Sequence, residues 1–325
     1  MQFLRSQWFS VAMVGLFVLA WLWPQLAAAI GLGGFTKHAA IMLIFLVSGL
    51  SLRLEESIRA LGAWRLHMGI QGLNLVLIPL ACWLLVRPVA DTLPEGLVVG
   101  LYLPAAVPTT ITSCVIFTQF AGGNTAAALL NAVAGNMAGV FISPLLLILM
   151  LGASDVQISL DPWQVFAQLG LIVLLPFALG QLLHNRLPTR NPKFRKIAGQ
   201  INRSCILLII YLAFGELFLR DIGEVAWARV LVPLVLLLPA HLLLVLASDA
   251  VAKLLRLGRA DRVAMLFCAP QKTLSLGVPM ATAVLASRPE LLGLALLPIL
   301  VYHPIQLLFG GILEERLRRF RISDF

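Results

Sequence analysis

Residues 103–115 read LPAAVPTTITSCV and residues 267–281 read FCAPQKTLSLGVPMA. Both are apolar stretches interrupted by proline, and both carry hydroxyl, amide or amine side chains at the interruption. Proline has no N–H to give to a helix and crowds the turn before it. Pro104 and Pro108 in the first stretch, and Pro270, Gly277 and Pro279 in the second, therefore rule out one straight helix in either place.

The surroundings decide what the two breaks mean. Of the 325 residues, 60% are hydrophobic and 12% charged, with a mean hydropathy of +0.95. Soluble domains carry about 25% charged residues, so this chain has too little polar surface to solvate a globule of its size. Its solvent is the lipid bilayer, where a spanning helix takes roughly 20 apolar residues. Ten such spans are expected, at about 8–30, 36–52, 66–86, 95–120, 124–151, 163–184, 204–220, 227–252, 261–287 and 291–313. The run from Trp8 to Ile30 ends in Ala27-Ala28-Ala29, like a signal peptide before its cleavage site, but is longer than a usual signal core. It reads as the first span.

The net charge of +9 is a property of loops rather than a nucleic-acid footprint. With the N-terminus inside, eighteen basic residues fall at the inner side and five at the outer, and the remaining one of the 24, Lys272, lies inside a span. Basic loops stay cytoplasmic. The expectation is a multi-pass protein of a bacterial inner (plasma) membrane with both termini cytoplasmic and a short tail at 314–325. Cys82, Cys114, Cys205 and Cys268 lie in or beside apolar spans, without metal-ligand or disulfide-framework spacing.

The two halves of the chain echo each other. Ile44–Gly49 matches Ile210–Gly215, Pro108–Ser113 matches Pro270–Ser275, and Phe141–Pro144 matches Val301–Pro304, at offsets of 166, 162 and 160. Each match falls in the same ordinal span of its half. Five spans per half is odd, so the second half is inverted: repeat one at about 1–151 and repeat two at about 163–313. The expected fold is an all-α membrane protein, a single transporter domain of two inverted five-helix repeats. Secondary transporters are built this way, with their sites at paired broken helices.

Unwound backbone cannot face lipid unsatisfied; it must be buried in protein or line a wet cavity. There, freed carbonyls can hold a cation and half-helix N-termini can face an anion. The candidate substrate and ion site is therefore Thr109, Thr110, Thr112 and Ser113 at the first break with Gln271, Lys272, Thr273 and Ser275 at the second. Asn131 and Asn136 in the fifth span and Gln71 and Asn74 in the third complete it. The bland alternatives are back-bonding of Thr and Ser to the preceding turn and interhelical glue for the amides. Lys272 is the sharpest signal. A mid-membrane lysine costs roughly 2.5–3.5 kcal/mol on insertion scales, which implies a cavity, a partner or a lost proton. Glu216 is a candidate partner, unless Arg220 holds it locally; His241 and His303 read as packing residues or proton relays.

On these stretches, with AGGNTAAALLN at 121–131, the chain resembles the bile acid:sodium symporter superfamily over nearly its whole length. Within it, the chain looks closest to the SBF-like branch related to the member-seven type of the sodium/bile acid cotransporters. The resemblance implies a panel domain and a core domain, with the fourth and ninth spans discontinuous and crossed. It also implies sodium symport of an organic anion, bile-acid-like or another small amphipathic anion, by alternating access. Carried over, sodium would sit at Ser113, Asn131 and Gln271, with no other cofactor. The family's ninth-span carboxylate is missing, because no acid lies between Arg262 and Glu290. That leaves proton-coupled or sodium-independent transport as alternatives. No HExxH or intramembrane Asp pair supports a hydrolase, so the chain is not read as an enzyme. The remaining alternative is a non-transporting regulator or sensor of ion or lipid homeostasis on the same fold.

The orientation is testable by itself. Single cysteines at Thr189 and Arg256 should label only from the cytoplasmic side, and one at Ser154 only from the other. Labelling of Thr189 from outside would overturn the topology.

Overall fold

A computed structural model describes residues 8–31, 35–51, 62–154, 170–184, 191–219 and 227–322, with Ala167 and Arg186. Thr189 and Arg220, both invoked above, lie outside the described residues. Every regular element among the described residues is helical. In chain order these are α1 (Trp8–Leu22), α2 (Pro24–Gly31), α3 (Phe35–Ser51), α4 (Trp64–Thr92), α5 (Glu95–Ala106), α6 (Ile111–Phe120) and α7 (Thr125–Gly152). They continue with α8 (Gly170–Leu183), α9 (Pro192–Phe218), α10 (Trp227–Leu254), α11 (Arg259–Cys268), α12 (Leu274–Val284) and α13 (Leu292–Ile322).

Among the described residues, the ten expected segments are mostly helical, with breaks at 107–110 and 269–273. Five elements are long and apolar enough to cross a membrane by themselves: α4, α7, most of α9, α10 and α13. Counting each bent pair as one span makes seven, while α3, α8 and α12 are shorter apolar helices. The first expected span is not straight. It bends by 99° between α1 and α2, because Trp23 N still bonds Leu19 O at 2.8 Å but Pro24 has no N–H to carry the ladder on. Leu231, Val235, Leu243 and Leu246 are exposed along α10, an apolar surface suited to lipid tails.

The described helices form two compact units, and each draws on both halves of the sequence. The first comprises Met1–Leu52, Gln157–Trp227 and Gly277–Leu296. In it, α3 packs against α8 and α9, and α9 against α1 and α2. The α3–α8 crossing is backbone on backbone: a Cβ on Gly49 would strike Phe177 O, and one on Gly180 would strike Leu46 O and come within 2.9 Å of Gly49 Cα. Side chains of α8 meet the last carbonyls of α3, Gln181 Nε2 donating to Gly49 O at 2.6 Å and His184 Nδ1 lying 2.7 Å from Leu50 O. Lys37 on α3, 4% exposed, reaches both carboxylate oxygens of Glu216 on α9 at 2.6 Å.

The second unit comprises Arg53–Val156, Ala228–Leu276 and Leu297–Phe325. Here α11 packs against α4, α6 and α7, while α7 also packs against α5 and α6. Asn124 ties the α6–α7 turn to α11: its side chain caps α7 by accepting from Ala127 N and donates to Asp261 Oδ1 at 2.7 Å, and its N–H donates to Ala260 O.

The α3–α8 approach yields a stability prediction. Gly180→Ala should cost about 1–3 kcal/mol through overpacking and lower the thermal unfolding midpoint of the purified protein. Gly15→Ala, where a Cβ meets nothing within 4 Å, should leave it unchanged.

Candidate functional site

Both proline-bearing stretches are broken in the second unit. Between α5 and α6, which differ in direction by 48°, Val107 is extended (φ −92°, ψ 150°), as a residue preceding proline should be. Thr110 is extended as well (φ −70°, ψ 139°). Between α11 and α12, residues 269–273 leave the helix. A break of this kind strands carbonyls that would otherwise accept from the next turn, and buried carbonyls need partners.

The partners can be followed one carbonyl at a time. Val107 O accepts from Lys272 Nζ at 3.2 Å. Pro108 O accepts from Thr273 N at 3.0 Å, so the two breaks bond to each other directly. Thr109 O accepts from Asn136 Nδ2 of α7 at 2.8 Å. At the second break, Cys268 O accepts from Asn74 Nδ2 at 3.4 Å and Pro270 O from the Tyr302 hydroxyl of α13 at 2.6 Å. Tyr302 thereby spends its proton, which leaves His241 Nδ1 of α10, 2.9 Å away, as the donor to its oxygen. Lys272 is clasped through its backbone: Gln306 Oε1 accepts from Lys272 N at 2.6 Å, and Gln306 Nε2 donates to Lys272 O at 2.8 Å. His303 Nδ1 lies 3.0 Å from the same Nε2.

The lysine itself is 1% exposed. Its Nζ donates to Asn74 Oδ1 at 2.5 Å besides Val107 O. Glu216 is occupied by Lys37, and the groups that hold Lys272 are neutral oxygens. Asn74 lies in a π-helical turn, Leu73–Leu77, where Ile78 N bonds Leu73 O five residues back. Pro79 cannot donate to this ladder, and such turns recur at functional sites.

A second cluster joins the breaks on their hydroxyl side. Thr110 Oγ1 and Ser113 Oγ donate to Gln271 Oε1 at 2.8 and 2.7 Å, and the two hydroxyls also contact each other. Thr110 is thereby drawn away from capping α6, whose N-terminus has no side-chain cap. Two buried polar atoms lack a partner here, Thr109 Oγ1 and Gln271 Nε2. A third group lies on α4 and α7: Asn131 Nδ2 bonds Ala127 O and His67 Nδ1, while Gln71 Nε2 donates to Asn131 at 3.4 Å.

The structure thus joins Thr109, Thr110, Ser113, Gln271, Lys272, Thr273, Asn74 and Asn136 by hydrogen bonds along the two breaks. Thr273 has a local task as well, its Oγ1 accepting from Ser275 N at the start of α12. Thr112 and Ser275 are exposed instead, and no hydrogen bond above reaches Thr112. Ser113 and Gln271 touch, whereas the partners of Asn131 are Gln71, His67 and Ala127. The sequence reading missed Gln306, Tyr302 and His67 as members, and Gly135 and Gly139 as the bed for Pro108. A Cβ on Gly139 would lie 2.8 Å from Pro108 Cγ, and one on Gly135 3.5 Å from its Cβ. The small-xxx-small spacing of those glycines is a signal that could have found them.

The SBF-like CPA transporter family matches residues 7–319. Sodium/bile acid cotransporter 7 of Danio rerio is 34% identical over 95% of this chain and 93% of its own length. The mouse protein of the same name is 32% identical, over 98% and 94%. The Escherichia coli (strain K12) protein YfeH, provisionally named a symporter, is 30% identical, over 96% and 92%.

The clasp on Lys272 is open to test. Gln306→Leu would strand Lys272 N and Lys272 O, at about 1–3 kcal/mol for each buried group. The unfolding midpoint should fall clearly further than for Gln119→Leu, at an exposed position of α6. An equal effect would mean the clasp carries no weight.

Proposed function

We propose, from the premise that this chain belongs to the SBF-like CPA transporter family, that it is a secondary active transporter of a small organic anion working by alternating access. The observation that carries this reading is the pair of broken helices, hydrogen-bonded through their unwound centres around a buried lysine. Unwound segments at membrane depth are where transporters hold their cargo. An anion finds three kinds of donor in the neighbourhood: the uncapped N-terminus of α6, the unpartnered Gln271 Nε2 and the amine of Lys272. Helix N-termini and cationic side chains both favour negative charge.

In this proposal the chain crosses a bacterial inner membrane ten times, as two inverted five-helix repeats, with the α5–α6 and α11–α12 pairs as crossed, discontinuous spans. Support comes from the placement of helix at each expected segment and from breaks at matching positions of the two halves. The two compact units, each drawing on both halves, are in keeping with a panel and a core. The names of the vertebrate relatives state sodium and bile acid for those proteins. For this chain the proposal extends to an amphipathic or small organic anion as substrate.

Uptake by reconstituted proteoliposomes, screened with a panel of organic anions, tests the reading. Ser113→Val removes a hydroxyl donor to Gln271 and should slow uptake about 2- to 10-fold, the equivalent of one hydrogen bond of roughly 0.5–1.5 kcal/mol. Thr112→Val, at an exposed position next to the break, should also slow it, with folding and insertion intact for both. If both variants transport at the rate of the unaltered protein, the substrate does not pass the first break.

A further inference from the structure

We infer that the place a small coupling cation would take between the two breaks is filled by the chain itself, by Lys272 Nζ, so that this site works without a bound alkali cation. The inference rests on the transporter reading for what the site is used for, but its physical content concerns occupancy alone.

An alkali cation is a hard ion that needs several oxygen ligands, and in a break those are freed carbonyls and side-chain amide oxygens. The two such oxygens facing Lys272 are Asn74 Oδ1 and Val107 O, and both already receive Nζ, at 2.5 and 3.2 Å. Without Pro108, Val107 O would accept from the N–H of Ile111 one turn on; the lysine supplies the donor that the break removed. The neighbouring carbonyls are taken too. Pro108 O is bonded by Thr273 N, Thr109 O by Asn136 and Pro270 O by Tyr302. A cation taking any of these oxygens would have to displace a protein donor from it, and the unpartnered side-chain oxygen at the first break, Thr109 Oγ1, offers a single ligand where several are needed. It would also find no carboxylate along this stretch, since no Asp or Glu occurs between Arg262 and Glu290. Beside a protonated Nζ it would meet like-charge repulsion, which a buried setting screens poorly.

Volume and donors thus come from one tethered side chain, 1% exposed. When protonated, a lysine so placed also gives the crossing a positive end, against which an anionic substrate can bind without an ion arriving first. The vertebrate relatives carry sodium in their names; on this geometry the present chain parts from what those names say.

The test is the thermal unfolding midpoint of the purified, full-length protein in NaCl and in choline chloride at equal concentration, because a ligand that binds the native state raises that midpoint in a concentration-dependent way. The unaltered protein should show the same midpoint in both salts. Lys272→Ala, which leaves the two oxygens facing a hole, should unfold at a lower temperature and regain part of the loss with methylammonium chloride, whose N–H groups can reach the same acceptors. Lys272→Met, which fills the hole without a donor, should not respond to methylammonium. A saturable rise with sodium in the unaltered protein overturns the inference, as does a Lys272→Ala protein no less stable than its parent. If Lys272→Ala does not fold, the sodium titration of the unaltered protein decides by itself. None of these readouts uses uptake, so a failure to find transport would count against the functional reading and leave this result standing.

Discussion

Backbone that leaves the helix inside a membrane must be satisfied by protein, and most of what is unusual in this chain follows from that requirement. Lipid offers no hydrogen bonds, and each orphaned group there costs several kcal/mol. Two breaks could strand the carbonyls of Val107, Pro108 and Thr109 and those of Cys268, Pro270 and Lys272. The chain meets these six with a lysine amine, a tyrosine hydroxyl, three side-chain amides and the N–H of Thr273. These donors come from four different stretches, α4, α7, α13 and the second break itself. No one of them could be placed by local propensity; the tertiary fold has to bring them in together.

Close packing makes that possible. Pro108 seats on Gly135 and Gly139 because neither carries a side chain to fend it off. Gly310 does the same on α13, where a Cβ would lie 2.6 Å from the Phe117 ring and 3.2 Å from Gln271 Nε2. Apolar driving force between helices is weak in lipid, so small residues that let backbones approach are what bring polar donors within reach. The unpartnered Thr109 Oγ1 and Gln271 Nε2 stand out against this thoroughness. Buried polar groups are paired nearly everywhere in proteins, and these two spare ones lie at the point where the proposed substrate would arrive.

How far the sequence could be read follows from which signals are local. Proline and glycine act on their own turn, so the breaks at 107–110 and 269–273 were legible from residue identity, as was the oddity of a lysine amid apolar residues. The partners of Lys272 were not. Gln306 and Tyr302 sit in an otherwise ordinary span, and nothing in their neighbours says that they reach a loop some thirty residues back. Glu216 was the wrong partner for Lys272 because a carboxylate and an amine attract across any gap in a sequence, whereas in space Lys37 stands beside it. Thr112 illustrates helical phase. It lies next to Ser113 in the chain but about 100° round the helix, so one hydroxyl meets Gln271 and the other is exposed. The bend at Pro24 was equally available as a residue identity, but a break near a span's end looks the same as the end itself.

The two buried lysines show what the choice of partner does. Lys37 touches both oxygens of Glu216, so the pair is neutral as a whole and its field fades quickly with distance. Lys272 is held by an amide oxygen and a carbonyl, which stabilise an ammonium by hydrogen bonding without cancelling its charge. Pairing it with a carboxylate would have made burial easier, since an isolated buried charge is the costlier arrangement. A protonated Lys272 would therefore keep a net positive charge at the crossing, which Lys37 beside its carboxylate does not. In surroundings of low dielectric constant such a charge reaches further than it would in water, and an anion is what it would draw.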